Sequence, residues 1–305
     1  NRELETEKQR WIRNAFIIML LLAVASVVVL NKQNQERQKI NAVLETKNKK
    51  ISEQNKDITD SIHYAQRIQR AILPSVEYVR ELFPSSFIFF QPRDVVSGDF
   101  YWTSRHKNTS IIAVVDCTGH GVPGAFMSMI GNTILSEIVI AREIVDPSKI
   151  LFELHHGIRK ALKQNLTTSR DGMDICLCTI NLTDNTINYA GAYNPLWVLK
   201  NNSDIEIVKA NKCAIGGFTE DNQIFESHKL HLHKGDIIYL FTDGYADQFG
   251  GEYGKKMTAK KFKEAILNVA NDSMEKQKFY LNNFIEIWKG KEFQVDDILV
   301  IGIRL

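Results

Sequence analysis

The sequence predicts an α+β fold, with packed sheets and helices following a long helical lead. Three observations carry this. Eight short β-branched or aromatic runs lie between Phe87 and Ile303, helical stretches come in blocks rather than alternating with them, and residues 11–73 read as two consecutive helical segments. The 305 residues, 44% apolar, suffice for one large domain plus appendages. A net charge of +2 argues for neither nucleic acid nor an acidic partner.

Residues 1–10 do not begin with Met and are expected to be the end of an upstream region, with a sensor lying before Asn1. Ala15 to Leu30 carry no charge, and with Trp11 and Ile12 they approach the roughly 20 residues that span a bilayer. Lys8, Arg10 and Arg13 flank the run on one side, Lys32, Arg37 and Lys39 on the other, and Trp11 suits an interfacial anchor. Ala23-Val24-Ala25 mimics a signal-peptide cleavage site, but the apolar run continues to Leu30, where a cleaved peptide turns polar. Residues 11–30 therefore read as a single-pass transmembrane helix in the cell (inner) membrane.

From Asn31 to Leu73 the chain is polar and free of Gly and Pro. Leu44, Ile51, Ile58, Ala65 and Ile72 recur every seven residues, while Ile40 and Ile68 share a second seam with Lys47, Gln54 and Ser61. That pattern predicts a coiled-coil linker over residues 31–73 that makes a homodimer; a solvated spacer helix is the alternative.

Residues 74–305 form the folded domain, opening with a junction between Pro74 and Pro84. Strands are expected at Phe87–Gln91, Ser110–Val115, Ile175–Asn181, Thr186–Ala190, Trp197–Lys200, Ile205–Val208, Ile237–Phe241 and Ile298–Ile303, with a hairpin turn at Asp184-Asn185. Helices are expected at Pro123–Ala141, Pro147–Leu166, Thr258–Ala270 and Ser273–Gly290. Cys117, Cys176, Cys178 and Cys213 include no CxxC pair or accompanying His cluster, which argues for free buried thiols in a reducing compartment rather than zinc.

The chemistry lies in four acidic motifs: Gly98-Asp99-Phe100, Asp116-Cys117-Thr118-Gly119-His120-Gly121, Phe241-Thr242-Asp243-Gly244 and Asp296-Asp297. Each places an Asp at the end or just before the start of an apolar run. Converging carboxylates repel unless cations neutralise them, and an all-oxygen set favours Mg²⁺ or Mn²⁺ over zinc. The glycines after Asp116 permit a sharp turn, and Pro123 then opens a helix whose N-terminus favours an anion.

Taken together, SGDFYW (Ser97–Trp102), DCTGHGVPGAFMSMIG (Asp116–Gly131), DGMDICLC (Asp171–Cys178), AGAYNPLW (Ala190–Trp197), FTDGYAD (Phe241–Asp247) and QVDDILVIGI (Gln294–Ile303) form an ordered series. The series resembles the PPM-type (protein phosphatase 2C-like) serine/threonine phosphatases, specifically their SpoIIE/RsbU-like branch, from about Ser61 to Leu305. The resemblance implies a four-layer αββα sandwich with two Mn²⁺ or Mg²⁺ ions. It implies Asp99, Asp116, Asp243 and Asp296 as metal ligands together with the backbone carbonyl of Cys117. Asp99 and Asp116 would hold a metal-bridging water that attacks the phosphate, with Asp297, Gly98 and Gly119 in support. His120 is expected to serve turn geometry. Arg93 precedes Asp99 without a settled phosphate-binding role, and Asp171–Asp174 is expected to be a loop turn, with a third, weaker metal as the alternative.

The resemblance further implies a phosphoprotein substrate, of the kind found among anti-sigma-factor antagonists, and a catalytic domain in the cytoplasm controlled through the linker helix. A silent receptor domain and a different two-metal hydrolase are the rival readings; intact Asp motifs weigh against the first, and the lack of a basic stripe and His motifs against the second.

Overall fold

A computed structural model describes residues 2–181, 183–184, 186–200 and 204–305. Asn185, half of the expected hairpin turn, lies outside the described residues. The elements run α1 (Arg2–Ile72), α2 (Val76–Leu82), β1 (Ser86–Gln91), β2 (Phe100–His106), β3 (Thr109–Cys117), α3 (Gly121–Ser136), α4 (Pro147–Ala161), β4 (Gly172–Asn181) and β5 (Thr186–Ala192). They continue β6 (Leu196–Lys200), β7 (Asp204–Val208), β8 (Ile215–Gly216), β9 (His228–His231), β10 (Ile237–Phe241), α5 (Gly244–Asp247), β11 (Phe249–Gly250), β12 (Lys255–Lys256), α6 (Thr258–Asn268), α7 (Met274–Lys289) and β13 (Ile298–Arg304).

Strand alternation builds the core. In β3, Ile112 and Val114 face one way and Ile111, Ala113 and Val115 the other, and all five are fully buried. A strand buried on both faces needs a layer on each side. One side is the sheet β1-β13-β10-β6-β7, whose Ile88, Val198, Leu240, Leu299 and Ile301 meet Ile112 and Val114 in a common core. The other is α3 and α4, whose Leu135, Ile150 and Leu154 cover Ile111, Ala113 and Val115 of the sheet β2-β3-β4-β5-β9. On the far face of the first sheet, Phe89, Trp197, Tyr239 and Val300 pack against Phe262 of α6 and Leu281 of α7. The order is helices, sheet, sheet, helices, the four-layer α+β arrangement expected from sequence. All paired strands within both sheets run antiparallel.

Several boundaries differ from expectation. The helix expected from Pro123 to Ala141 opens at Gly121 and ends as α-helix at Ser136. It widens into a π turn over Glu137–Ala141, where the Arg142 N–H reaches the Glu137 carbonyl at 3.0 Å. The helix expected to reach Leu166 stops at Ala161. The Pro74–Pro84 junction contains α2, capped by the Ser75 hydroxyl accepting the Tyr78 N–H at 3.1 Å. Strands β2, β8, β9, β11 and β12 and the short α5 were not expected.

The residues up to Ser61 form one compact unit, and those from Ile62 onward another. In the first, an eighteen-residue window is apolar enough to cross a membrane and none of it is buried; Leu44, Ile51 and Ile58 are exposed. In the second, the last turns of α1 turn Ile62, Ala65, Gln66 and Gln69 toward the fold, while Ile68 and Ile72 of the heptad remain exposed.

Candidate metal centre

Five carboxylates surround a cavity of about 220 Å³ at one end of the two sheets, and four of them line it: Asp116, Asp174, Asp243 and Asp296, with His120 and Ala214 among the other walls. Strand ends hold each acid. Asp116 sits near the end of β3 and pairs in register with Asp174 at the start of β4. Asp243 follows β10 at the position before α5, its side chain making no cap hydrogen bond; Asp296 precedes β13. Asp99 lies just before β2, 3% exposed, within hydrogen-bond reach of Asp116 and of the Thr242 side chain.

Two glycines and an Asp set the turn that carries Asp99. Gly98 and Gly124 both press on the carbonyl of Gly119: a Cβ on either would lie 2.4 or 2.2 Å from that oxygen. Gly119 itself has φ +84°, a left-handed conformation natural to glycine. Asp297 is buried, and its carboxylate accepts the N–H groups of Arg93 at 2.7 Å, Gly98 at 2.8 Å and Asp99 at 3.4 Å. It therefore fastens the loop rather than lining the cavity. The Thr118 hydroxyl and N–H both engage Gly172, which ties the Asp116 turn to the strand bearing Asp174.

The electrostatics are those of a buried anion cluster whose carboxylates raise one another more than nearby cations lower them. Burial, and then the charge of Asp116, hold the Asp99 carboxyl well above its ordinary value; burial followed by Asp243, Asp296 and Asp174 does the same to Asp116. Burial and Asp243 push Asp174 up to about 7. Asp243 is raised by burial, Asp247 and Asp296, and Asp296 by burial, offset in part by the Asp297 N–H, His120 and Arg93. Asp116 lies within hydrogen-bond reach of both Asp99 and Asp243, contacts that need a shared proton when no cation is present.

The donor set fits hard divalent ions. It is all oxygen, it holds excess negative charge, and Oδ2 of Asp99 is buried with no hydrogen-bond partner. Among the described residues no group of three His, Cys, Asp or Glu side chains is drawn together to ligand spacing as it stands.

Asp99, Asp116, Asp243 and Asp296, expected from the sequence, do come together. The Cys117 thiol packs into the core beneath α3, burial driving its pKa up. His120 occupies the N-cap position of α3 and pairs through Nδ1 with Asp94 at 2.9 Å, both exposed at the rim. Arg93 directs Nη1 to the Val295 carbonyl at 3.0 Å. The expected loop turn at Asp171–Asp174 is corrected: β4 begins at Gly172, so Asp174 is a strand residue in the cavity, while Asp171 accepts the Ser169 hydroxyl at 2.9 Å. Alternation carried the missed signal, because Asp174 stands two residues before Cys176 on the inter-sheet face.

A family model described as stage II sporulation protein E (SpoIIE) matches residues 106–305. The chain belongs to the SpoIIE family. Its folded part is a PP2C-like phosphatase domain. The SiaA-PP2C domain of Pseudomonas aeruginosa is 31% identical, with 82% of this chain and 98% of that one covered and a TM-score of 0.76. The phosphoserine phosphatase RsbU of Bacillus subtilis is 24% identical over 253 residues, which cover 81% of this chain and 71% of RsbU. The PP2C domain of SpoIIE from Bacillus subtilis, solved with a fragment of its regulatory domain, shares the fold at a TM-score of 0.58 with 17% identity, over 72% of this chain and 63% of that one.

Proposed function

We propose that this SpoIIE-family protein is a metal-dependent protein serine/threonine phosphatase that removes phosphate from phosphoserine or phosphothreonine on a partner protein in bacterial signalling. The observation that carries this is the cluster of buried carboxylates at the cavity, with its unpartnered Asp99 Oδ2. Asp99, Asp116, Asp243 and Asp296, with the Cys117 carbonyl, would hold two Mn²⁺ or Mg²⁺ ions. Bound divalent ions supply positive charge for the phosphate and make water acidic enough to act as a nucleophile near neutral pH. The chain itself positions and orients. Asp297 fixes the Arg93–Asp99 loop, Thr118 fixes the Asp116 turn to β4, and Gly98, Gly119 and Gly124 let the two turns close on each other.

The linker reading has its own support. Gln69, near the end of α1 and 5% exposed, donates to the Ser97 carbonyl at 2.6 Å and to the Ser128 hydroxyl at 2.9 Å, and accepts the Ser97 N–H at 3.2 Å. Gln66 donates to the Val95 carbonyl at 2.6 Å. These bonds engage the segment that carries Gly98 and Asp99, so a change in helix packing would reach the first metal ligand. In this reading residues 11–30 span the cell membrane, residues 31–73 pair two copies as a coiled coil, and residues 74–305 act in the cytoplasm on a phosphoprotein akin to the anti-sigma-factor antagonists.

Hydrolysis of p-nitrophenyl phosphate by the full chain in detergent tests the reading. Turnover should require Mn²⁺ or Mg²⁺, stop with chelator and vanish in Asp116→Asn; activity that persists in chelator would overturn it.

A further inference from the structure

A second set of polar side chains, two buried and one half-buried, lies on α4 and the turn after it, outside the carboxylate cluster. His155 is fully buried, and its Nδ1 accepts the Gly216 N–H at 3.0 Å. Gln164, 4% exposed, accepts the Gly217 N–H at 3.1 Å and donates to the Asp171 carbonyl at 2.6 Å. Arg159 donates to the Thr219 carbonyl at 2.9 Å and forms an ion pair with Asp221. All three grip one short loop, Ala214–Asp221. The Thr219 hydroxyl donates to the Ala214 carbonyl at 2.8 Å, and Ala214 is a wall of the carboxylate cavity. Strand β8, inside the loop, pairs with Gly172 and Met173 beside Asp174.

The loop is tied down at its base and bare at its tip. Phe218 is 86% exposed, with the Arg170 guanidinium 5.7 Å from its ring centre. Burying His155 and Gln164 carries a desolvation cost that their hydrogen bonds only offset, and half-burying Arg159 adds to it. For the fold alone, that outlay secures a turn whose largest side chain faces water. An aromatic beside an arginine, on a backbone held by these hydrogen bonds, suits contact with another protein, where aromatics and Arg dominate binding energy.

We propose that His155, Arg159 and Gln164 are positioning residues. They hold the Ala214–Asp221 loop as the surface that reads the protein around the phosphorylated residue, and Phe218 is its contact. This rests on the phosphatase reading above.

The test compares two probes on the full chain in detergent with Mn²⁺: p-nitrophenyl phosphate, which has no polypeptide, and phosphorylated casein. Phe218→Ala and Arg159→Ala should each raise KM for phosphocasein about fivefold or more, lowering by the same factor the ratio of its kcat/KM to that of the aryl phosphate. Arg159→Lys, which keeps the charge facing Asp221 but not the forked donors, should recover part of the ratio. Phe218 supports no core, so its effect cannot come from unfolding. An unchanged ratio in Phe218→Ala, or equal losses on both probes in Arg159→Ala, would overturn the proposal. Wild-type protein inert toward the aryl phosphate with either Mn²⁺ or Mg²⁺ would instead sink the phosphatase reading and the proposal with it.

Discussion

Gly124→Ala sets two effects against each other. Gly124 lies in the first turns of α3, where Ala is the better helix former by about 1 kcal/mol. Its new Cβ, however, would lie 2.2 Å from the Gly119 carbonyl oxygen and 2.8 Å from the Gly98 Cα, both main-chain atoms. An ordinary contact needs about 1 Å more separation, and a close-packed interior yields that only by moving backbone. Neither neighbour can retreat freely. Gly98 is fastened by Asp297 at 2.8 Å, and Thr118, beside Gly119, is tied to Gly172 at 3.0 Å. The displacement therefore passes to the turns that carry Asp99 and Asp116. Overpacking costs about 1–3 kcal/mol, and a clash with main-chain atoms falls at the upper end, about 2–3, so sterics outweigh propensity and the net loss is on the order of 1–2 kcal/mol. Mn²⁺ affinity should fall about 10- to 100-fold, as when groups that orient ligands are disturbed. Urea denaturation and Mn²⁺ calorimetry of the full chain measure both. A variant as stable as the wild type or more so, with unchanged Mn²⁺ affinity, would refute the reasoning.

Other expectations follow from the same contacts. Asp297→Asn aims an amide N–H at a backbone N–H and loses a charge-assisted bond worth about 1.5–3 kcal/mol; relief of repulsion with Asp99 and Asp296 offsets part, so chemical denaturation should show a net loss on the order of 1–2 kcal/mol. Gln69→Leu leaves the Ser97 N–H unpaired in a buried setting at about 1–3 kcal/mol and the Ser97 carbonyl with only the Ser128 hydroxyl at 3.4 Å, and should cut aryl phosphate turnover along with stability; normal turnover would contradict the coupling of α1 to Asp99. The pH dependence has a definite sign. Asp174 titrates at about 7 when folded against an ordinary 3.8, so the metal-free fold binds more protons than the unfolded chain across that window. Its stability should fall as pH rises through the window, and Mn²⁺ should reverse the trend; urea midpoints with chelator that do not move between pH 5 and 7.5 would count against the cluster.

The two packed sheets were legible because apolar alternation and turn residues announce strands such as β3, β4 and β13. Asp99, Asp116, Asp243 and Asp296 were legible because each closes or opens such a run. What escaped has local causes. β2 follows the Asp99 motif directly, and its Phe100, Tyr101 and Trp102 are buried on both faces, so no alternation marks it. β8 and β9 are short and take their identity from partners far along the chain. α2 hides between two prolines that read as a junction. Asp174 looked like part of a Gly-containing turn because Gly172 precedes it, although its register with Asp116 makes it a strand residue. The grip of α4 on the Ala214–Asp221 loop joins residues some 60 apart in sequence, as in the contact of Arg159 with Thr219, and no sequence pattern announces it.

The measurement that bears most directly on the account is the Mn²⁺ stoichiometry of the full chain by titration calorimetry, beside Asp116→Asn. Two ions per chain in the wild type, with binding lost or weakened at least tenfold in the variant, is the predicted result. No binding by folded wild-type protein, or the same isotherm for both proteins, would contradict a metal centre at Asp99, Asp116, Asp243 and Asp296.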